Sequence, residues 1–159
     1  MYKPIKRHKA LQPVSREHHF GLLLSWKIRQ GFKLNIEVKR IKAYTDWFWT
    51  HHLVPHFNFE EQYMFPILRN NHNLIKRAIK EHNRLQRLFT AIDKIERNLW
   101  LIEEELVAHI RFEERILFKE IQGNATKQQL EIIEQEHEKV ITEEWQDQFW
   151  LKNLKHLNQ

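Results

Sequence analysis

Two twelve-residue segments of this chain repeat one another, and the repeat restricts the fold more than any other feature. Val54-Pro-His56-Phe-Asn-Phe-Glu60-Glu61-Gln-Tyr-Met-Phe65 and Val107-Ala-His109-Ile-Arg-Phe-Glu113-Glu114-Arg-Ile-Leu-Phe118 are identical at six of twelve positions. In each, a histidine precedes a glutamate by four residues, so on a helix the imidazole and the carboxylate share a face. One such pair alone carries little weight, because a chain with 11 His and 18 Glu yields about one by chance and such pairs are common on helix surfaces. The face is what matters. His109 lies three residues after Leu106 and seven after Ile102, with Leu117 eight beyond it, and His56 lies three after Leu53. Both pairs fall on or beside an apolar stripe, where an unpaired glutamate costs several kcal/mol or takes up a proton. A metal ion removes that conflict.

The rest of the chain supplies helices to face these two. Only three Gly and four Pro occur in 159 residues, and the chain is dense in Leu, Ile, Glu, Lys, Arg and Gln, which lose little rotamer freedom in a helix. Helix 1 is expected from Ser15, an N-cap with Glu17 behind it, to Gln30, with Gly31 as its stop. Helix 2 is expected from about Asn35 to Met64, kinked or locally broken at Pro55 and ended by Pro66. A polar turn at Asn70, Asn71 and Asn73 leads to helix 3, which reaches about Glu96 with Ile75, Ile79, Leu85, Phe89 and Ile92 inward. A connection near Asn98 opens helix 4, with the stripe Ile102, Leu106, Ile110, Leu117 and Ile121. Gly123 and Asn124 separate it from a fifth helix starting near Thr126. Trp145, Phe149 and Trp150 are too aromatic to be left in water and are expected to cover one end. Short connections make neighbours antiparallel, so the fold class is all-α: an up-down four-helix bundle with an appended C-terminal helix. The expected organisation is a basic arm over residues 1–13, the bundle over 14–122, and the C-terminal helix and aromatic tail over 123–159.

A site on an apolar stripe draws its remaining groups from facing helices. Glu17-His18 and Glu81-His82 open matching stretches on helices 1 and 3. His82 lies three residues after Ile79 and three before Leu85, so it faces the core. His18 has Leu22 one turn on, with Ser15 and Gly21 beside it, small residues that leave room at a helix contact. A lone histidine on an apolar face is more often a satisfied core residue than a ligand. Four of them with two carboxylates, symmetric in sequence, reverse that reading. The candidate metal set is therefore His18, His56, Glu60, His82, His109 and Glu113.

With no cysteine, thiolate sites, disulfides and thiol redox catalysis are excluded together. Imidazole and carboxylate suit iron, manganese or zinc. A glutamate can bridge two ions, so the set describes two metals with open positions. Two divalent cations against two carboxylates leave excess positive charge, which a bridging hydroxide or oxide would reduce, and this favours redox-capable iron over zinc. The expected cofactor is two non-haem iron ions, Fe2+ or Fe3+, with an oxo or hydroxo bridge.

Several neighbours are left open. His19 could replace His18. His52, one turn before His56, could be a ligand or a donor to one. Glu61 and Glu114 point about 100° from the ligand face and could support or exchange with the ligands. His137, in Glu-His-Glu, reads as solvated, and His8, His51, His72 and His156 read as surface. The formal charge of +5 comes from Lys and Arg interleaved with acids, except for a solvated basic arm at Lys3, Lys6, Arg7, His8 and Lys9. Nucleic acid is therefore not expected as a partner. Residues 1–13 lack the apolar stretch of a signal peptide and no apolar run approaches membrane-spanning length, so a cytoplasmic protein without a membrane partner is expected.

These residues resemble the hemerythrin-like, or HHE cation-binding, family. The likeness runs over roughly residues 14–122 and rests on His-Leu-x-Pro-His-Phe-x-x-Glu-Glu at His52 to Glu61 and His-x-x-x-Glu-Glu at His109 to Glu114, with the C-terminal Phe149-Trp150 also similar. It implies a four-helix bundle with a non-haem di-iron centre, in proteins that carry or sense oxygen, handle nitric oxide or peroxide, sense iron, or help repair iron-sulfur clusters. Oxygen-carrying members have a further His one turn from the third-helix ligand, where this chain has Ala78 and Gln86. Their fourth-helix carboxylate is an Asp at a five-residue offset, where this chain has Glu113 at four. A more open site follows, which points away from reversible oxygen carriage and toward sensing, iron handling or redox chemistry. The expected function is to bind or sense oxygen, nitric oxide, peroxide or iron. The alternatives are a di-iron oxidoreductase reducing peroxide or nitric oxide with an electron donor protein, and a non-redox zinc or metal-free interaction module.

Overall fold

Apolar spacing organises the chain into helical rods. The computed structural model describes residues 6–137 and 144–151, which leaves Lys3 of the basic arm and His156 outside. Among the described residues there is no strand. The first rod is α1 (Gln12–Lys33). The second joins α2 (Val38–Phe48), a π turn over Trp49–Leu53, α3 (Val54–Phe59), a second π turn over Glu60–Met64 and a 3-10 turn over Phe65–Ile67. The third is α4 (Asn73–Thr90). The fourth joins α5 (Ile95–Phe112), a π turn over Glu113–Leu117 and α6 (Phe118–Asn124), and the fifth is α7 (Lys127–Glu136).

Several boundaries differ from expectation for local reasons. α1 starts at Gln12 rather than Ser15 because Pro13 occupies the first turn, where no backbone N–H is needed. It runs through Gly31, and the stop is Asn35, at φ 56°; asparagine tolerates this left-handed conformation. The second rod does not break at Pro55. A π turn precedes it, and Pro55 sits in the first turn of α3. α4 is capped by His72 rather than by an asparagine, its Nδ1 accepting from the Leu74 N–H at 3.1 Å. The α4–α5 connection lies at residues 91–94, not near Asn98, and turns at Lys94 with φ 49°. It carries Ile92 out to 95 % exposure instead of inward. α7 follows Thr126 as expected, with a capping box in which Thr126 and Gln129 exchange hydrogen bonds of 2.9 and 3.1 Å.

Two apolar clusters divide the bundle, and the candidate residues lie in the layer between them. Ascending α1, Val14 belongs to one cluster and Leu24 to the other, with His18 between. The second rod runs the opposite way, from Leu53 and Phe57 past His56 and Glu60 to Met64 and Phe65. α4 climbs again from Ile75 and Ala78 past His82 to Leu85. The fourth rod descends from Leu106 and Ile110 past His109 and Glu113 to Leu117. The same sequence of layers, read alternately up and down, is the antiparallel bundle.

The ends are closed by segments outside the four rods. Phe149 and Trp150 are buried against Leu24, Ile41 and Tyr44, and Trp145 packs beside them. The basic arm is not simply solvated. Arg7 donates to the Glu114 carbonyl at 2.7 Å and carboxylate at 3.1 Å, and the His8 backbone N–H donates to Gln122 at 2.8 Å. Among the described residues no helix is long and apolar enough to cross a membrane.

Gly31 lets α1, α2 and the aromatic tail approach closely. A Cβ there would meet Ile41 at 2.7 and 2.9 Å and Phe149 at 3.0 Å, whereas a Cβ at Gly123 would meet nothing within 4 Å. Gly31→Ala is therefore expected to lower unfolding free energy by about 1–3 kcal/mol through overpacking. Gly123→Ala, in the last turn of α6, is expected to raise it by up to about 1 kcal/mol. Denaturant melts of the two variants check the contrast.

Candidate metal centre

Eight polar atoms in the middle layer are buried and have no hydrogen-bond partner among the described residues: the Nε2 atoms of His18, His56, His82 and His109, and both carboxylate oxygens of Glu60 and of Glu113. All six residues are at most 4 % exposed. These atoms crowd one another without hydrogen-bond geometry. His109 Nε2 lies 2.5 Å from Glu113 Oε1, His56 Nε2 3.2 Å and His82 Nε2 3.4 Å from Glu60 Oε1, and His18 Nε2 3.6 Å from Glu113 Oε1. An abandoned buried polar group costs about 1–3 kcal/mol, more if charged, so such a cluster persists only for a partner that satisfies it. The atoms form two overlapping groups, His18, His56, Glu60 and Glu113, and Glu60, His82, His109 and Glu113, each with its donor atoms within 4.8 Å of one another. Two buried four-donor groups that share both carboxylates are consistent with a dinuclear metal site, which these six residues would hold.

The opposite edge of each imidazole is fully engaged. His18 Nδ1 meets Glu114 at 2.6 Å, His56 Nδ1 meets Glu17 at 3.3 Å, His82 Nδ1 meets Glu61 at 3.4 Å, and His109 Nδ1 meets Glu81 at 2.8 Å. A carboxylate only accepts, so each Nδ1 carries a proton, and a ring that is neutral, as metal binding requires, would present its Nε2 lone pair inward. Such outer carboxylates fix ring orientation and raise ligand basicity. The four contacts close a circle around the bundle: α1 supports His56, the second rod supports His82, α4 supports His109, and the fourth rod supports His18. Aromatic rings fix the same imidazoles. Phe57 stacks on His82 at 3.8 Å, Phe65 lies 5.4 Å from His82, and Phe118 stacks on His18 at 5.1 Å.

Burial alone would push these imidazoles down and these carboxylates up, but their mutual charge dominates in the metal-free site. Against burial, Glu113, Glu114 and Glu60 hold His18 well above its usual value, and Glu113, Glu60 and Glu61 do the same for His82. Glu60 and Glu17 raise His56 to about 9 despite its burial, and Glu113 with Glu81 raises His109. Glu113 is held well below its ordinary range, burial being overcome by His109, Glu60 and His18. Without metal, protons on the histidines replace the missing cations.

A model of the hemerythrin HHE cation-binding domain matches residues 18–100. The chain belongs to this family. Comparison with curated proteins and with solved structures gives no significant match. The matched stretch of the HHE domain contains His18, His56, Glu60 and His82, while His109 and Glu113 lie beyond it and join the site through the geometry of the fourth rod.

Other histidines near the HHE centre fall into place around it. His19 is exposed on α1 and does not reach the donors. His52 packs among Trp47, Phe48 and Phe20, away from the two groups. His137 is not solvated as expected: its side chain is 8 % exposed, and its Nε2 lies 2.8 Å from Glu17, the carboxylate that holds His56. Glu17 and Glu81 were not assigned a role from sequence, although each directly precedes a candidate ligand in the matching Glu-His dipeptides. The π turns at Glu60 and Glu113 were also missed. Their signal is the five-residue step from each glutamate to Phe65 or Phe118, which an α-helix would place about 140° apart; a π turn brings both to the core, and such turns recur at functional sites.

The metal-free and loaded forms of the HHE site should respond oppositely to pH. His56 is raised from 6.5 to about 9, so the folded metal-free state binds more protons than the unfolded one. That stabilisation is complete below the unfolded value and is lost as pH rises through the folded one. Metal binding needs neutral imidazole, so protons displace metal as pH falls through ~6.5. The lowered carboxylates act elsewhere: Glu17, whose burial is outweighed by His137 and His56, falls to about 2 and loses its contribution only in acid. The melting temperature of metal-free protein is therefore expected to fall between pH 6.5 and 9, and its gap from loaded protein to widen. Thermal melts with and without chelator check this, and a metal-free curve that is flat or rises over that range would contradict it.

Proposed function

We propose that this chain is a non-haem di-iron protein that binds or senses a small molecule such as oxygen, nitric oxide or peroxide. The observation that carries this reading is the pair of buried His/Glu donor groups, against which lies a cavity of about 10 Å³ lined by Gly21, Leu53, Phe57, Leu106 and Ile110 together with Glu17 and four of the donor residues. That is room for a molecule the size of one water. Two iron ions held by these groups would supply a redox-active Lewis acid beside the cavity.

The chain's own residues set what can enter and what can happen. Apolar side chains exclude bulk water and larger substrates, which favours ligands of two or three atoms. The Nδ1 protons are committed to outer carboxylates. In the metal-free protein Glu17, the lining residue outside the donor set that titrates, is held down to about 2 by His137 and His56 against its burial.

Gly21 tests the reading because it borders the cavity. A Cβ at this position would lie 2.7 Å from the Ile110 Cδ1 atom and would push that side chain into the space. Gly21→Ala is expected to keep its iron content and to weaken nitric oxide binding to the reduced protein by about tenfold or more. Unchanged nitric oxide affinity at unchanged iron content would count against the cavity as the ligand site.

A further inference from the structure

The aromatic tail closes over a second cavity, which the metal centre does not use. It measures about 500 Å³ and lies between α1, α2 and residues 144–151, within the size range of small-molecule sites. Its walls are rings: Trp47 and Trp145 are 5.4 Å apart, and Tyr44 and Trp150 are 5.1 Å apart. Two hydrogen-bond donors line it, the Lys27 ammonium and the Trp145 indole. Lys27 is half-buried, with its Nζ 4.0 Å above the Trp150 ring and 3.2 Å from the Tyr44 hydroxyl, to which it donates. Among the described residues no carboxylate lies within ion-pair distance of it, and burial pulls it below its usual value while the more distant Glu144 opposes this. The Trp145 indole N–H is buried and has no hydrogen-bond partner among the described residues. His52, also lining the space, is pushed down by burial and stays neutral.

An aromatic box ordinarily suits a cation. Here the protein's own ammonium already covers the faces of Tyr44 and Trp150, and a second cation would be repelled. What is left over is a positive charge among flat apolar walls, and the ammonium keeps two further protons to donate. A charge-assisted bond from it to an anion is roughly twice as strong as a neutral one. We propose that this cavity binds a small planar aromatic carboxylate, with its ring against the aromatic walls and its carboxylate on Lys27. The site is separate from the metal reading and stands or falls without it.

The full-length chain, labelled with nitrogen-15, would be titrated with naphthalene-2-carboxylate and with its neutral carboxamide. The Trp145 indole signal, assigned with Trp145→Phe, reports occupancy directly. A saturable shift of that signal is expected with the carboxylate. Lys27→Met is expected to weaken the carboxylate by about tenfold or more and to leave the carboxamide within about twofold. Glu144→Gln removes an exposed negative charge at the rim and is expected to tighten carboxylate binding, so it decides the matter even if Lys27→Met fails to fold. No saturable shift up to the solubility limit, equal binding of acid and amide, or no effect of Glu144→Gln would each overturn the proposal.

Discussion

Eight buried polar atoms that cannot satisfy one another govern this structure. An imidazole nitrogen facing a carboxylate oxygen normally makes a hydrogen bond, yet at this layer all four Nε2 atoms and all four oxygens lack one. They converge instead on points between them. The arrangement is costly for a bare protein, and other features of the middle layer serve to hold it. Outer glutamates accept hydrogen bonds from the Nδ1–H groups, phenylalanines clamp the rings, and π turns begin at both inner glutamates and re-aim the chain beyond them.

The outer circle explains why the bundle is built from matched pairs. Each rod contributes inner donors and one outer carboxylate, and that carboxylate serves the histidine of the next rod. No rod can leave without orphaning a neighbour's ligand. Three outer glutamates are themselves anchored: Glu114 by Arg7, Glu81 by Arg77 and Glu17 by His137. The arm before α1 and the end of α7 are thereby tied to the centre, although neither supplies a donor. With six carboxylates around four imidazoles, the layer carries far more negative charge than the two inner glutamates alone, which suits two highly charged cations and explains the protonated histidines of the metal-free form.

Much of this could be read in the sequence because it is periodic. The His-to-Glu spacing on an apolar stripe located His56, Glu60, His109 and Glu113, and the Glu-His dipeptides located His18 and His82; the structure brings these six together. The all-α class followed from the scarcity of Gly and Pro. Other features escaped because they break the period or depend on partners far along the chain. The α4–α5 turn at Lys94 has neither Gly nor Pro to mark it, so helix 3 was carried too far and Ile92 was placed inside. The contact between His137 and Glu17 spans 120 residues, and nothing local to Glu-His-Glu announces it. Glu61 and Glu114 could be read as supports of the ligands, but which histidine each one holds depends on the neighbouring rod.

The central claim is that the middle layer exists to hold two ions at once. Metal content of the purified chain, prepared without added metal and measured per folded protein, tests it most directly. The account predicts two iron ions per chain, both lost together with the donor geometry when Glu60 or Glu113 is removed. One tightly held zinc that admits no second ion, or a protein that takes up no metal at neutral pH, would contradict it.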